Sequence, residues 1–367
     1  GNDGVVFLTE SAAQVNSRLV KLPQVLQVAV PPPDEKARAH FIAWFNRCQK
    51  RGRKIKLAGT QSELVQFTAG LTIHALRQLL MANVYSAQTL DPSHVFKRVE
   101  DYIESQVGEG VVRFKRPTHT RKDLVGVGNL LRYLDAKIIP RLRAGGSRAL
   151  SGFVVGGPIG GGKTYTFEAI AAEVDMVVLE LRNLRSKWFG ETDIILERLY
   201  RVLCSLSKVM VFVDEADTVF GGLGADVHET EKRLTGEIQK WMADSGLRGR
   251  VVWVLMTARI QNLSADIRRP GRAGDLIIPV LDPEGSERDE FIAWTVKGVL
   301  GEAVPANGSW QWKDLDEAMN GFSAADFSSL RLELTAEAGG RQMSLKEVLA
   351  VAQDKLTADI AAARKYQ

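Results

Sequence analysis

Residues Gly157 to Thr164 read Gly-Pro-Ile-Gly-Gly-Gly-Lys-Thr, the pattern G-x-x-x-x-G-K-[ST]. No other segment constrains the chain as much, because this loop needs a strand before it and a helix after it. Both are legible: an apolar run from Gly152 to Val155 precedes the loop, and a helical pattern from Thr166 to Glu173 follows it. Glycine is required where backbone N–H groups must approach phosphate oxygens with no Cβ in the way. Gly160, Gly161 and Gly162 are therefore expected to cradle phosphates. Lys163 would reach the β- and γ-phosphates, and the Thr164 hydroxyl would bind Mg2+.

A second element supplies the complementary chemistry. The apolar run Val209-Met-Val-Phe-Val213 ends in Asp214 and Glu215, 51 residues beyond Lys163. A carboxylate at the strand tip suits Mg2+, which takes hard oxygen ligands. The next carboxylate suits the role of general base toward an attacking water. The two motifs together point to ATP or a related nucleotide, with Mg2+, and to its hydrolysis.

Around these motifs helical and strand patterns alternate from residue 123 onward. Helices are expected at 127–143, 163–173, 191–206 and 229–243, and strands at 151–156, 176–180, 209–213 and 250–256. Such alternation predicts an α/β fold, a parallel sheet with helices on both faces. Residues 285–367 return to helices. Before residue 123 the reading is different. Short strands are expected at 5–8 and 25–30, then helices at 34–50, 60–67, 72–85 and 92–106. The densest basic stretch, Arg113 to Lys122, reads as a solvated linker.

The chain also repeats itself. Residues 33–44 read PDEKARAHFIAW and residues 283–294 read PEGSERDEFIAW, so Pro, Arg and the tetrapeptide Phe-Ile-Ala-Trp recur at one offset of 250. Upstream, residues 5–19 align with 252–267, and downstream 68–76 echo 319–327. Three blocks in one order at nearly constant spacing indicate duplication. The chain is expected to hold the tail of one module followed by a complete second one, with the natural protein extending further upstream.

Composition narrows the classes. Two cysteines, Cys48 and Cys204, lie far apart among 367 residues, which supports neither a disulfide framework nor a cysteine metal site. The expected setting is reducing and cytoplasmic. No apolar run is long enough to span a bilayer, so no membrane partner is expected. A net charge of +4 from 48 basic and 44 acidic residues permits nucleic-acid contact without favouring it.

Residues 123–337 resemble the AAA branch of the AAA+ ATPases, ring-forming and typically hexameric protein-remodelling machines. The stretch from Thr257 to Arg272 ends in Arg269-Pro-Gly-Arg272, like that branch's second region of homology. Gly321-Phe-Ser-Ala-Ala-Asp326 is similar to its lid motif, and Asp123-Leu-Val-Gly126 to the segment covering the adenine from the other side. The resemblance implies an additional helical lid-like domain ahead of a P-loop core with its own C-terminal helical lid. It divides the chain into a remnant of a first core (1–32), a first lid (33–107), a basic linker (108–122), a core (123–282) and a second lid (283–367).

It also implies site residues. Val125, Gly126, Tyr165, Ala324 and Ala325 would join the P-loop around the nucleotide. Arg269 and Arg272 would act as arginine fingers on a neighbouring subunit's nucleotide. In the first copy the matching stretch, Val20 to Gln24, has lost them, as expected of a degenerate first ring. Lys187-Trp188-Phe189-Gly190 resembles the central pore loop, with Trp188 and Phe189 gripping a protein substrate, and Gly221 to His228 reads as a second pore loop. One departure stands out: the sensor residue after Thr257 is usually Asn and here is Ala258. Hydrolysis is then expected to be slow, with Thr257 substituting in part. Two readings stand beside remodelling: a nucleic-acid motor or loader using the basic stretch, and a nucleotide-gated scaffold that barely hydrolyses.

Overall fold

A computed structural model describes residues 5–8, 15–20, 22–26, 28, 30, 33–49, 54–86, 89–108, 110–144, 146–182, 192–206, 208–220, 229–267 and 276–355. After a one-turn helix at Ser17–Val20, four longer helices follow: α1 (Glu35–Cys48), α2 (Gln61–Phe67), α3 (Ile73–Ser86) and α4 (Pro92–Val107). Their starts are dictated locally. The Asp34 carboxylate accepts from Ala37 N, and Thr60 forms a capping box with Glu63, satisfying N–H groups that a helix start leaves unpaired.

Strand β1 (Val112–Lys115) follows, then α5 (Gly128–Tyr133) and α6 (Ile139–Arg143), joined by a π-helical turn at Leu134–Ile138. Pro140 explains the turn. It lacks an N–H, and the widened backbone before it lets Ile139 N donate to Leu134 O, five residues back. The core continues as β2 (Gly152–Gly156), α7 (Lys163–Glu173), β3 (Val177–Leu181), α8 (Thr192–Ser205), β4 (Val209–Val213), α9 (Ala216–Val219), α10 (Glu229–Ala243), β5 (Val251–Thr257) and β6 (Ile277–Pro279). A second set of four helices closes the described chain: α11 (Gly285–Leu300), α12 (Trp310–Ala318), α13 (Ala324–Ala338) and α14 (Leu345–Lys355).

The sheet order is β1-β3-β4-β5-β2-β6, parallel except for β1, which runs antiparallel along β3. Strands β2, β4 and β5 are buried along their whole length, as expected of a parallel sheet covered on both faces. Alternation then sorts their side chains. Val251, Trp253 and Leu255 join a core with α8, α10 and the four N-terminal helices; Val252, Val254 and Met256 join the opposite core with α5, α6 and α7. The register puts Gly156 opposite Thr257 and Val213 opposite Leu255, so the ends of β2, β4 and β5 meet at one edge. That edge is where ligands bind in such sheets.

Several expectations need correction. Residues 5–8 form no strand and are exposed, with Leu8 at 95 %, and the described part of 25–30 forms none either. These segments have apolar composition but no ladder partner among the described residues, and a strand needs one. The basic stretch is not simply a linker: Arg113 to Lys115 lie in edge strand β1, where Phe114 is buried and Lys115 pairs with Glu168 and Glu180. The helix expected at 127–143 is interrupted by the π turn. Strand β6 was not legible, since three residues carry too little periodicity.

Candidate nucleotide site

The loop Gly157–Gly162 leaves β2 and enters α7, whose N-terminal N–H groups point into a cavity of about 990 Å3. Its glycines are there for geometry. Gly160 and Gly162 adopt φ of 82° and 81°, and a Cβ on Gly157 would lie 1.8 Å from Val280 O. Lys163 Nζ donates to Gly157 O (3.0 Å) and Pro158 O (2.7 Å), which holds the ammonium over the loop. Burial lowers its pKa, opposed by the Asp214 and Asp282 carboxylates. The Thr164 hydroxyl lies 3.4 Å from Met256 Sδ at the end of β5.

Asp214 and Glu215 follow β4 into the same cavity. Glu215 holds φ 47° and ψ 44°, a left-handed conformation that costs a non-glycine residue about 1–2 kcal/mol. Its N–H donates to Asp214 Oδ1 (2.9 Å) and its carbonyl accepts from Thr218 Oγ1 (2.8 Å). These bonds fix the strained turn. Thr257, 2 % exposed, donates its hydroxyl to Asp217 Oδ1 (2.6 Å) and accepts from Arg259 N (2.8 Å). Its single hydroxyl hydrogen is thus engaged with Asp217, while Thr257 itself lines the cavity. Thr257 ties β5 to the acidic loop.

The second helical set closes the cavity. Ala325 N donates to Gly160 O (2.9 Å), and Ser323, in a capping box with Asp326, starts α13 at the loop. From α11, Glu290 accepts from Gly126 N (3.2 Å) and Glu287 from Asn129 N (2.6 Å). Val125, Gly126, Ala324 and Ala325 line the cavity together with Tyr165 of α7. The cavity thus brings together the phosphate-loop, acidic and lid residues read from the sequence.

Residues 153–279 match the profile of the ATPase family associated with various cellular activities. This stretch is similar to an AAA domain. The chain is 28 % identical over 198 residues to the ATPase family gene 2 protein of Schizosaccharomyces pombe, covering 53 % of the chain and 24 % of that protein. Against the cell division cycle protein 48 homolog of Archaeoglobus fulgidus it is 30 % identical over 191 residues, 51 % of the chain and 25 % of the relative. Against vacuolar protein sorting-associated protein 4B of Pongo abelii it is 25 % identical over 229 residues, 60 % and 50 % respectively. The matches thus span from a quarter to a half of these relatives' own lengths.

The cavity's donor set fits a magnesium nucleotide: a phosphate-cradling loop at a helix N-terminus, one ammonium, one hydroxyl and a carboxylate at a strand tip. No cluster of three His, Cys, Asp or Glu groups able to hold a metal occurs among the described residues, so the ion would depend on Thr164, Asp214 and the phosphates themselves. Arg269 and Arg272, Trp188 and Phe189, and 221–228 lie outside the described residues. Sequence reading missed Asp217, Glu287 and Glu290. Asp217 had a signal, two residues past the acidic pair; the glutamates had only helical spacing. No helix among the described residues is long and apolar enough to cross a membrane.

Proposed function

We propose that this chain is an Mg2+- and ATP-dependent AAA+ ATPase that assembles into a ring, of hexameric type, and remodels or threads a protein substrate in the cytoplasm. The observation that carries the reading is one cavity built from Lys163, Asp214, Glu215 and the start of α13, so that the nucleotide bridges core and lid. Thr164 and Asp214 would hold Mg2+, which when bound offsets phosphate charge. Lys163 pairs with phosphate oxygens, and Glu215, in its fixed turn, accepts the proton of the attacking water. Arg269 and Arg272 would act on a neighbour's nucleotide, with Trp188 and Phe189 on the substrate. The arrangement of a degenerate first module ahead of a complete second is part of the same proposal, with residues 33–107 as first lid, 123–282 as core and 283–367 as second lid. Lys163→Ala should abolish tight ATP binding, whereas Glu215→Gln should bind ATP and lose hydrolysis. Turnover by Glu215→Gln at the parent rate would overturn the assignment.

A second reading, the slowly hydrolysing scaffold, is favoured by Ala258 together with the engaged Thr257 hydroxyl. An Asn amide can donate and accept at once, and a methyl group does neither. Ala258→Asn should raise kcat by up to about 10²-fold at little cost in KM. An unchanged or lowered kcat at saturating ATP would remove this reading.

A further inference from the structure

Tyr165 follows the Lys163-Thr164 pair, half exposed (48 %), on the wall of the nucleotide cavity. One face of its ring is covered. The His119 imidazole lies parallel to it, with centroids 3.8 Å apart and planes 1° from coincident. His119 Nε2 is also 2.7 Å from the carbonyl oxygen of Tyr165 itself. A carbonyl only accepts, so Nε2 carries the hydrogen. The same imidazole therefore grips both the backbone and the ring of Tyr165. His119 is held in place by the turn that Thr120 and Asp123 close, where Thr120 N donates to Asp123 Oδ2 (2.7 Å). His119 does not line the cavity, whereas Tyr165 does.

We infer that His119 is a positioning residue that holds Tyr165 as an aromatic wall, on which the base of the bound nucleotide stacks, so that the site selects purine over pyrimidine nucleotides. The inference rests on the nucleotide reading of this cavity. Its physical basis is that base–aromatic stacking contributes substantially to binding and grows with ring overlap, which a bicyclic base offers and a pyrimidine halves. An unbraced Tyr165 would lose part of that gain to ring rotation.

The test uses the full chain with Mg2+ and equilibrium titration of ATP and CTP. The parent should bind ATP about tenfold or more tightly than CTP. Tyr165→Ala should weaken ATP about tenfold and bring the ATP-to-CTP ratio close to one, while Tyr165→Phe keeps the ratio. His119→Ala should lose about threefold in the ratio; a merely structural role would weaken both nucleotides alike and leave the ratio unchanged. A parental ratio in both alanine variants would overturn the inference while leaving the nucleotide reading intact. Failure of the parent to bind ATP, or ATP binding unaffected by Lys163→Ala, would overturn the nucleotide reading instead.

Discussion

Two four-helix sets, α1–α4 and α11–α14, share the segment Phe-Ile-Ala-Trp and sit in different surroundings. Their correspondence reaches single bonds. Arg38 Nη2 donates to Val65 O in the first set, and Arg288 Nη2 to Asp316 O in the second. Phe41 and Trp44 pack with ring centroids 5.6 Å apart, and Phe291 and Trp294 with centroids 6.3 Å apart. Each third helix is capped by a hydroxyl, from Thr72 or Ser323, two residues after a glycine at positive φ.

The surroundings then diverge. The second set keeps its own core and meets the P-loop through hydrogen bonds at its edge. The first set shares one continuous core with the sheet, α8 and α10. Arg38 shows the consequence. It is fully buried, donates to Pro33, Val65 and Ser205 carbonyls, and burial lowers its pKa. Arg288 keeps a half-exposed carboxylate partner, Asp316 (2.6 Å). The same arginine is a fully buried clamp in one set; in the other it also holds the Asp316 and Met319 carbonyls but faces a half-exposed carboxylate.

The largest expected effect separates those arginines. Arg38→Met should cost about 3 kcal/mol, since methionine fills space but leaves buried carbonyls without donors, at ~1–3 kcal/mol each. Arg288→Met should cost less, about 2 kcal/mol, because the half-exposed Asp316 carboxylate regains water while the Met319 carbonyl loses a donor. Denaturant midpoints at constant slope would measure both; equal losses would break the comparison.

Next come two glycines at positive φ. Gly126 (φ 60°) faces α11, where a Cβ would lie 2.4 Å from Phe291 Cδ2 and 2.6 Å from Glu287 O. Gly126→Ala should loosen the second set, raising the KM for ATP about tenfold and costing about 2 kcal/mol. Gly70 (φ 93°) faces Ile103 Cδ1 at 2.9 Å, inside the first set. Gly70→Ala should cost similar stability yet leave KM for ATP unmoved, so steady-state kinetics beside melting curves distinguishes them.

The smallest effect concerns the paired caps. Ser323→Ala and Thr72→Ala should each cost about 1 kcal/mol. Only Ser323→Ala should also weaken ATP, because its cap seats the α13 start against Gly160. Loss of ATP affinity in Thr72→Ala, measured by titration, would show that the first set also reaches the site.

Much of this was legible beforehand because the determinants are local. Helix and strand periods and the glycines before Lys163 act within a few residues, so α7, β4 and α10 fall where their patterns place them. The grouping of Lys163, Asp214 and Glu215 was legible for a further reason: in a parallel sheet all strand ends that carry such motifs face one edge. What only the tertiary structure decided depends on partners distant in the chain. Residues 5–8 and 112–115 are both short apolar or amphipathic runs, yet only 112–115 found a strand edge, on β3, and became β1. His119 looks like part of a charged stretch until its ring lies on Tyr165. The two Phe-Ile-Ala-Trp segments are identical over four residues, and whether the helix bearing them is buried against a sheet or laid across a nucleotide site depends on what lies opposite. Local sequence determines periodicity and capping. Apolar burial is non-directional, so its outcome is settled only when distant surfaces compete for the same face.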